Sequence, residues 1–306
     1  MLVVAMATWA MAQTPQALLT LLAKAHRLPV VAEPFQLPLP LGVVSSVADD
    51  AKGLLYVLQR GEDADPVVVL NREGRVVRSW GKGLYKIPHT IRLDPEGNVW
   101  TVDAGSSMVL KYSPDGRKLA EIAVGEVPRG RDDGFYGTTD IAFAPAGRIF
   151  IADGYGNARI LEYNTAGKRV HQWGEHGKGP GEFDTPHGIA FDGRNTLFVA
   201  DRGNNRIQRF DLEGKFLGQW THIGKPYSLR YMRGKLYAGV QRQDQTSVSG
   251  VARRPPGWLL RLDPVTGDIL GQIESAGAHH FIEVTAEGEM YGGSMPNGFT
   301  WFRRER

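Results

Sequence analysis

The chain has 306 residues, 42% of them hydrophobic, with 38 glycines and 18 prolines, which is enough to bury a sizeable single core. A net charge of only +3, with no basic helix and no aromatics alternating with Lys/Arg, argues against a nucleic-acid partner. The absence of cysteine excludes disulfides, thiolate metal sites and cysteine nucleophiles.

Residues 1–12, MLVVAMATWAMA, are apolar and end in Ala10-Met11-Ala12. They read as a signal peptide without its usual basic start, which places the protein outside the cytoplasm, secreted or periplasmic; the alternative is an apolar start to the helix that follows. The stretch is too short to span a bilayer, and no other segment is apolar enough for a membrane helix. Residues 13–40 read as a helix and an extended segment. Thr14 is the expected N-cap, Pro15 the first helical position and QALLTLLAKAHR the helix. A proline-rich run from Leu28 to Pro40 follows.

Residues 41–306 carry one phrase six times: an inner strand, a Gly-containing turn, and a second strand that ends near Asp in copies two, three and four. The copies are VSSVADDAKGLLYVLQR, PHTIRLDPEGNVWTVDA, TTDIAFAPAGRIFIADG, PHGIAFDGRNTLFVADR, PYSLRYMRGKLYAGV and HHFIEVTAEGEMYGGSM. Third and fourth strands such as MVLKYSPDGRKLAEI lie between them. Aligned on their inner strands, the copies place Ser45, His89, Thr139, His187, Tyr227 and His280 at one position, separated by 44, 50, 48, 40 and 53 residues. Short strands at this spacing with Gly/Asn/Asp turns predict an all-β, six-bladed β-propeller. Strands near Phe35–Leu39 and Thr300–Arg303 are expected to close the ring. In such a ring the inner strands line a central channel.

Blades two, four and six therefore bring His89, His187 and His280 to the channel axis. A lone His beside a strand is ordinarily a satisfied core or cap residue. Three of the chain's eight histidines in one register on alternate blades point instead to a metal. Three neutral imidazoles with an open fourth position are the ligand set of a catalytic zinc ion; Fe(II), Co(II) and Mn(II) also suit imidazole. His279 replaces His280 if the register slips by one. His26, His171, His176 and His222 read as surface residues. Arg60 and Arg202 recur at the end of the second strand, in a ring that includes Ala104, Gly154 and, loosely, Ser294 or Met295. Tyr155 follows Gly154. Alone, the arginines would read as exposed turn residues. Beside three histidines they suit a carboxylate-bearing substrate, and a tyrosine near a cation can serve as a base. Asp103, Asp153 and Asp201 read as turn-holding residues, and Trp80, Trp173 and Trp220 as packing.

These residues resemble a known family. The blade unit looks like an NHL repeat, and residues 41–293 resemble the peptidyl-α-hydroxyglycine α-amidating lyases, through LGVVSSVADD with LQRGE, KIPHTIRLDPEGNVWTVDAG, ADGYGNARILEY, FDTPHGIAF and VADRGNNRIQRF. The resemblance implies His89, His187 and His280 as zinc ligands, with Tyr155, Arg60 and Arg202 as the catalytic surround. It implies a metal-dependent lyase that splits a carbinolamide C–N bond to an amide and glyoxylate, acting as a monomer on a small molecule or peptide with a carboxylate. The family also places an Asp directly after the third His, where it helps hold calcium (Ca2+); here Phe281 stands there. The family's disulfides have no counterpart. Two other readings are a non-catalytic NHL propeller that binds protein or glycan, and a lactonase-type propeller hydrolase. The latter chemistry favours channel carboxylates, whereas this chain puts imidazoles there.

Overall fold

Each of the six repeats forms one four-stranded antiparallel sheet with neighbouring strands paired in sequence order, over residues 44–80, 88–123, 138–173, 186–220 and 225–275 for blades one to five. The computed structural model describes residues 15–37, 41–125, 134–242, 256–275, 277, 279–293 and 299–305. The expected signal-peptide stretch, the Thr14 cap and Ser294 and Met295 lie outside them. Blade six is built from both parts of the chain: Phe281–Val284, Met290–Gly293 and Thr300–Arg304 are followed by Val30–Pro34 as the outermost strand. Ring closure thus uses Val30–Pro34 rather than Phe35–Leu39. Phe35 instead stacks on Phe299, with ring centroids 4.7 Å apart, and leaves the strand to fill an aromatic cluster with Tyr291 and Trp301.

The burial gradient follows from the architecture. Inner strands such as Pro88–Leu93 and Pro186–Phe191 are buried along almost their whole length, whereas the outer strand Lys118–Ala123 is mostly exposed. A strand covered on both faces needs continuous apolar residues rather than alternation, and Val67–Val68–Val69–Leu70 supplies such a run. Apolar clusters fill the spaces between adjacent blades. The expected packing role of the tryptophans holds: Trp80, Trp173 and Trp220 each lie against a turn glycine of the following blade, Gly116, Gly214 and Gly267. The helix runs over Pro15–Lys24, three residues shorter than expected. Leu18 and Leu22, one turn apart on a single face, enter the cluster between blades four and five, while Arg27 already pairs with Gln272 of blade five.

The inner strands share one irregularity. In blades one to five the register slips at Ser45, His89, Thr139, His187 and Tyr227, so that each of these residues is the extra one of a β-bulge. Bulges bend a strand and re-aim side chains. Here the bulges of blades two and four carry His89 and His187, whose rings meet across the centre of the ring. Pro88, Pro186 and Pro226 precede three of the bulges, where a strand tolerates the missing N–H.

Candidate active site

Three imidazoles meet on the channel axis. The ring centroids of His89, His187 and His280 are 5.0, 4.7 and 5.0 Å apart pairwise, and a ligand atom from each lies within 4.8 Å of the others. Each ring is oriented by the next blade in the circle. The Nδ1–H of His89 donates to the Thr139 carbonyl at 2.6 Å, that of His187 to the Tyr227 carbonyl at 2.7 Å, and that of His280 to the Ser45 carbonyl at 3.1 Å. The accepting residues are the equivalent positions of blades three, five and one. This bond fixes the tautomer and leaves the Nε2 lone pair for the axis. Burial, the neighbouring His280 and Arg60 hold His89 well below the ordinary histidine range. Burial, Arg202 and His89 do the same for His187. Both rings are therefore neutral, the form that ligates a metal.

Tyr155 reaches over the same point. Its hydroxyl is 2.9 Å from the Nε2 of His89 and 2.9 Å from the Nε2 of His187. A phenol has one proton to donate, so one of these contacts brings two acceptors together. A divalent ion between the three Nε2 atoms would relieve that contact, and the donor set fits one. The residue before Tyr155 has to be glycine: a Cβ at Gly154 would sit 1.9 Å from the Pro186 carbonyl oxygen. That close approach lets the chain cross from blade three onto the mouth of blade four.

The two arginines occupy equivalent backbone positions, as the repeat alignment anticipates. Arg60 N donates to Val43 O and Arg202 N to Thr185 O, each acceptor lying just ahead of the inner strand of its own blade. Arg60 Nε is anchored on the Pro88 carbonyl at 2.8 Å. Its Nη2 is buried with no hydrogen-bond partner among the described residues, and burial lowers its pKa. A buried guanidinium nitrogen without an acceptor favours an anionic ligand. The Arg202 guanidinium lies over the ring of Tyr155 at 5.4 Å and over that of Tyr227 at 5.3 Å.

Asp103 and Asp201 hold turns, as expected. Asp103 accepts from the backbone N–H groups of Lys86 and Ile87, and Asp201 from that of Asp184; each clasps the loop that feeds its own blade's histidine. Asp153 pairs with Arg159 at 2.9 Å. His279 points away from the axis: it is buried beside Phe302 with ring centroids 5.6 Å apart, while His280 faces His89 and His187. Phe281 turns into the apolar cluster with Tyr291 and Phe299. It offers no oxygen, and the residues there do not fit a calcium ion held in the family's way. His26, His171 and His176 are exposed, and His222 is half-buried against the Gly267 carbonyl. Sequence reasoning missed the bulges, the carbonyl partners of the imidazoles, and two aromatics beside the arginines, Phe135 and Tyr227. The recurrent proline ahead of the inner strand was the available signal for the first.

Comparison with known proteins gives consistent results. A family model described as a 6-bladed β-propeller matches residues 135–245. The peptidyl-glycine alpha-amidating monooxygenase of Mus musculus is 28% identical over 302 residues, covering 85% of this chain and 30% of that protein, so the chain spans less than a third of the length of that relative. Peptidyl-alpha-hydroxyglycine alpha-amidating lyase 1 of Drosophila melanogaster is 33% identical over 160 residues, 48% of this chain and 29% of that one. NHL repeat-containing protein 3 of Homo sapiens is 31% identical over 227 residues, 69% of this chain and 65% of that one. Among solved structures, a catalytically inactive virginiamycin B lyase from Staphylococcus aureus with quinupristin superposes with a TM-score of 0.60 at 15% identity, covering 90% and 89% of the two chains. A chain of a nidogen/laminin complex does so at 0.56 and 15%, covering 76% and 81%; both likenesses bear on the fold alone. The chain is a six-bladed β-propeller that resembles the peptidyl-α-hydroxyglycine α-amidating lyases and the NHL-repeat proteins.

Proposed function

We propose that the protein is a metal-dependent carbon–nitrogen lyase of the amidating-lyase kind, which splits an N-acyl-α-hydroxyglycine into an amide and glyoxylate. The observation that carries this reading is the convergence of three carbonyl-anchored imidazoles with a tyrosine hydroxyl 2.9 Å from two of them, flanked by two guanidiniums. His89, His187 and His280 would hold zinc, which supplies a Lewis acid that makes the carbinol hydroxyl more acidic. Arg60, with its unmatched Nη2, and Arg202 bind and orient the substrate carboxylate, so that only the hydroxyl end turns to the axis. The Tyr155 oxygen is placed to take the carbinol proton while the C–N bond breaks. The carbon becomes the aldehyde of glyoxylate, and the proton taken from the carbinol passes on to the departing amide nitrogen, so atoms and charge balance. Burial of His89 and His187 limits the access of water to the reacting centre.

Purified protein is incubated with α-hydroxyhippurate while glyoxylate release and metal content are measured. The expected result is one equivalent of glyoxylate per benzamide from protein carrying one divalent ion. Fully metallated protein that releases none would overturn the substrate class. Protein that acquires no stoichiometric metal from zinc-containing buffer would favour instead a non-catalytic binding propeller, the reading suggested by the NHL-repeat relative.

A further inference from the structure

Each guanidinium of the site rests on an aromatic face that the proposed chemistry does not use, Phe135 for Arg60 and Tyr227 for Arg202. Arg60 lies over Phe135 at 5.6 Å; Phe135 meets Tyr155 at 4.8 Å between ring centroids; Arg202 lies over Tyr155 at 5.4 Å and Tyr227 at 5.3 Å. The five side chains form one continuous chain of contacts, in which the Phe135 and Tyr155 rings are tilted at 58° to each other. Tyr227 is itself fixed at both ends. Its hydroxyl donates to Gln241 Oε1 at 3.0 Å, and its ring meets that of His187 at 5.9 Å. Its main-chain carbonyl is the acceptor that orients His187.

We infer that Tyr227 and Phe135 are positioning residues: each holds an arginine, Arg202 and Arg60 respectively, at the angle at which its fork receives the substrate carboxylate. The inference rests on the lyase reading for its kinetic consequence but not for its geometry. Guanidiniums are held by aromatic faces more weakly than by carboxylates, and without neutralisation of their charge. An acidic anchor would pair with the arginine and compete with the substrate; an aromatic anchor orients the cation and leaves its hydrogen-bonding edge open. Tyr227 therefore does two separable jobs, one through its carbonyl on His187 and one through its ring on Arg202. A side-chain substitution removes only the second.

Tyr227→Leu, Tyr227→Phe and Phe135→Leu are made in the full chain. First, the Nε–Hε resonances of the arginines are recorded by NMR and assigned with Arg202→Lys and Arg60→Lys. In the unsubstituted protein the Arg202 proton should lie upfield, shielded by two ring faces. It should move downfield in Tyr227→Leu, stay in Tyr227→Phe, and be little changed in Phe135→Leu, which should shift Arg60 instead. Second, with α-hydroxyhippurate, Tyr227→Leu should raise KM about tenfold, with a smaller change in kcat and unchanged metal content, and Tyr227→Phe should stay within about twofold. An Arg202 resonance unmoved by Tyr227→Leu, or a Tyr227→Phe variant as impaired as Tyr227→Leu, would overturn the assignment. If the unsubstituted protein releases no glyoxylate, the lyase reading fails while the NMR result still decides this inference. Should Tyr227→Leu not fold, Tyr227→Met and the Phe135→Leu arm carry the same comparison.

Discussion

Blades two and four build their histidine position in one way and blade six in another. His89 and His187 each follow a proline and sit on a bulge inside a paired strand. Both are buried, and their Nδ1 bonds are 2.6 and 2.7 Å long. His280 follows a buried histidine, lies just ahead of its strand Phe281–Val284, is only half-buried, and makes a longer Nδ1 bond of 3.1 Å. Its acceptor, Ser45, is 235 residues away in the chain, and its blade is completed by the strand Val30–Pro34. The first two positions are set by local backbone geometry. The third is set by closure of the ring. All three tethers cross to the next blade, over 50, 40 and 235 residues, but only the third imidazole also depends on the strand pairing that closes the ring.

The largest effect that bears on this difference comes from removing imidazoles. His187→Ala should abolish stoichiometric zinc binding and lower glyoxylate release by about three orders of magnitude or more. His280→Ala should leave weak residual zinc binding by the two bulge-held rings, so metal titration of the two variants side by side checks the asymmetry. Breaking the closure should come next. Phe35 N donates to Phe299 O and Glu305 N to Pro29 O, which puts Val31 in a hydrogen-bonded pair with Arg303, and the Val31 side chain is exposed. Val31→Pro should cost about 1–3 kcal/mol in denaturant unfolding by removing that ladder bond and leaving its acceptor unmatched, and should weaken zinc binding while His89 and His187 remain in place. The smallest effect is a pH slope. Burial pushes His279 down to about 4, against the ordinary 6.5, so the unfolded chain takes up its proton first. The stability this neutral ring contributes is fully present above pH 6.5 and is lost as pH falls towards 4. His279→Leu should therefore lose about 2 kcal/mol less stability than the parent between pH 7 and pH 5, measured by denaturant titration at both values. An unchanged slope would mean that His279 is not the shielded, neutral ring described here.

The same asymmetry explains what could be read from the sequence. Blade count and register were legible, because each repeat carries its own turn glycine between two short strands and three of them end the second strand in Asp103, Asp153 or Asp201, and the equivalence of Arg60 and Arg202 follows from that register. His89 and His187 were legible within their Pro-His phrases. For the third position, AHHFIEV left two candidates, since nothing local says which of two adjacent histidines faces the axis. The tertiary environment decides it: a Cβ at Gly292 would strike the His279 ring and one at Gly239 its carbonyl oxygen and Cβ, so glycine at those positions leaves room for His279 in the interior. The closing strand was placed five residues late, because the apolar Phe35 and Leu37 look like strand residues but pack into the aromatic cluster of blade six. Phe135 was invisible because its role exists only across blades, in contact with an arginine of blade one.

Each imidazole of the triad borrows its acceptor from the following blade. A blade is therefore a unit of repetition but not a unit of chemistry. Transplanting any even-numbered blade into another propeller would carry the imidazole and leave its tether behind. Adding a seventh would break the alternation that gives three donors around one point. Opening the ring at a loop and joining the old ends preserves all three tethers. Rearrangements of this gene that keep the count and the cyclic order of blades can keep the centre; those that shuffle single blades cannot.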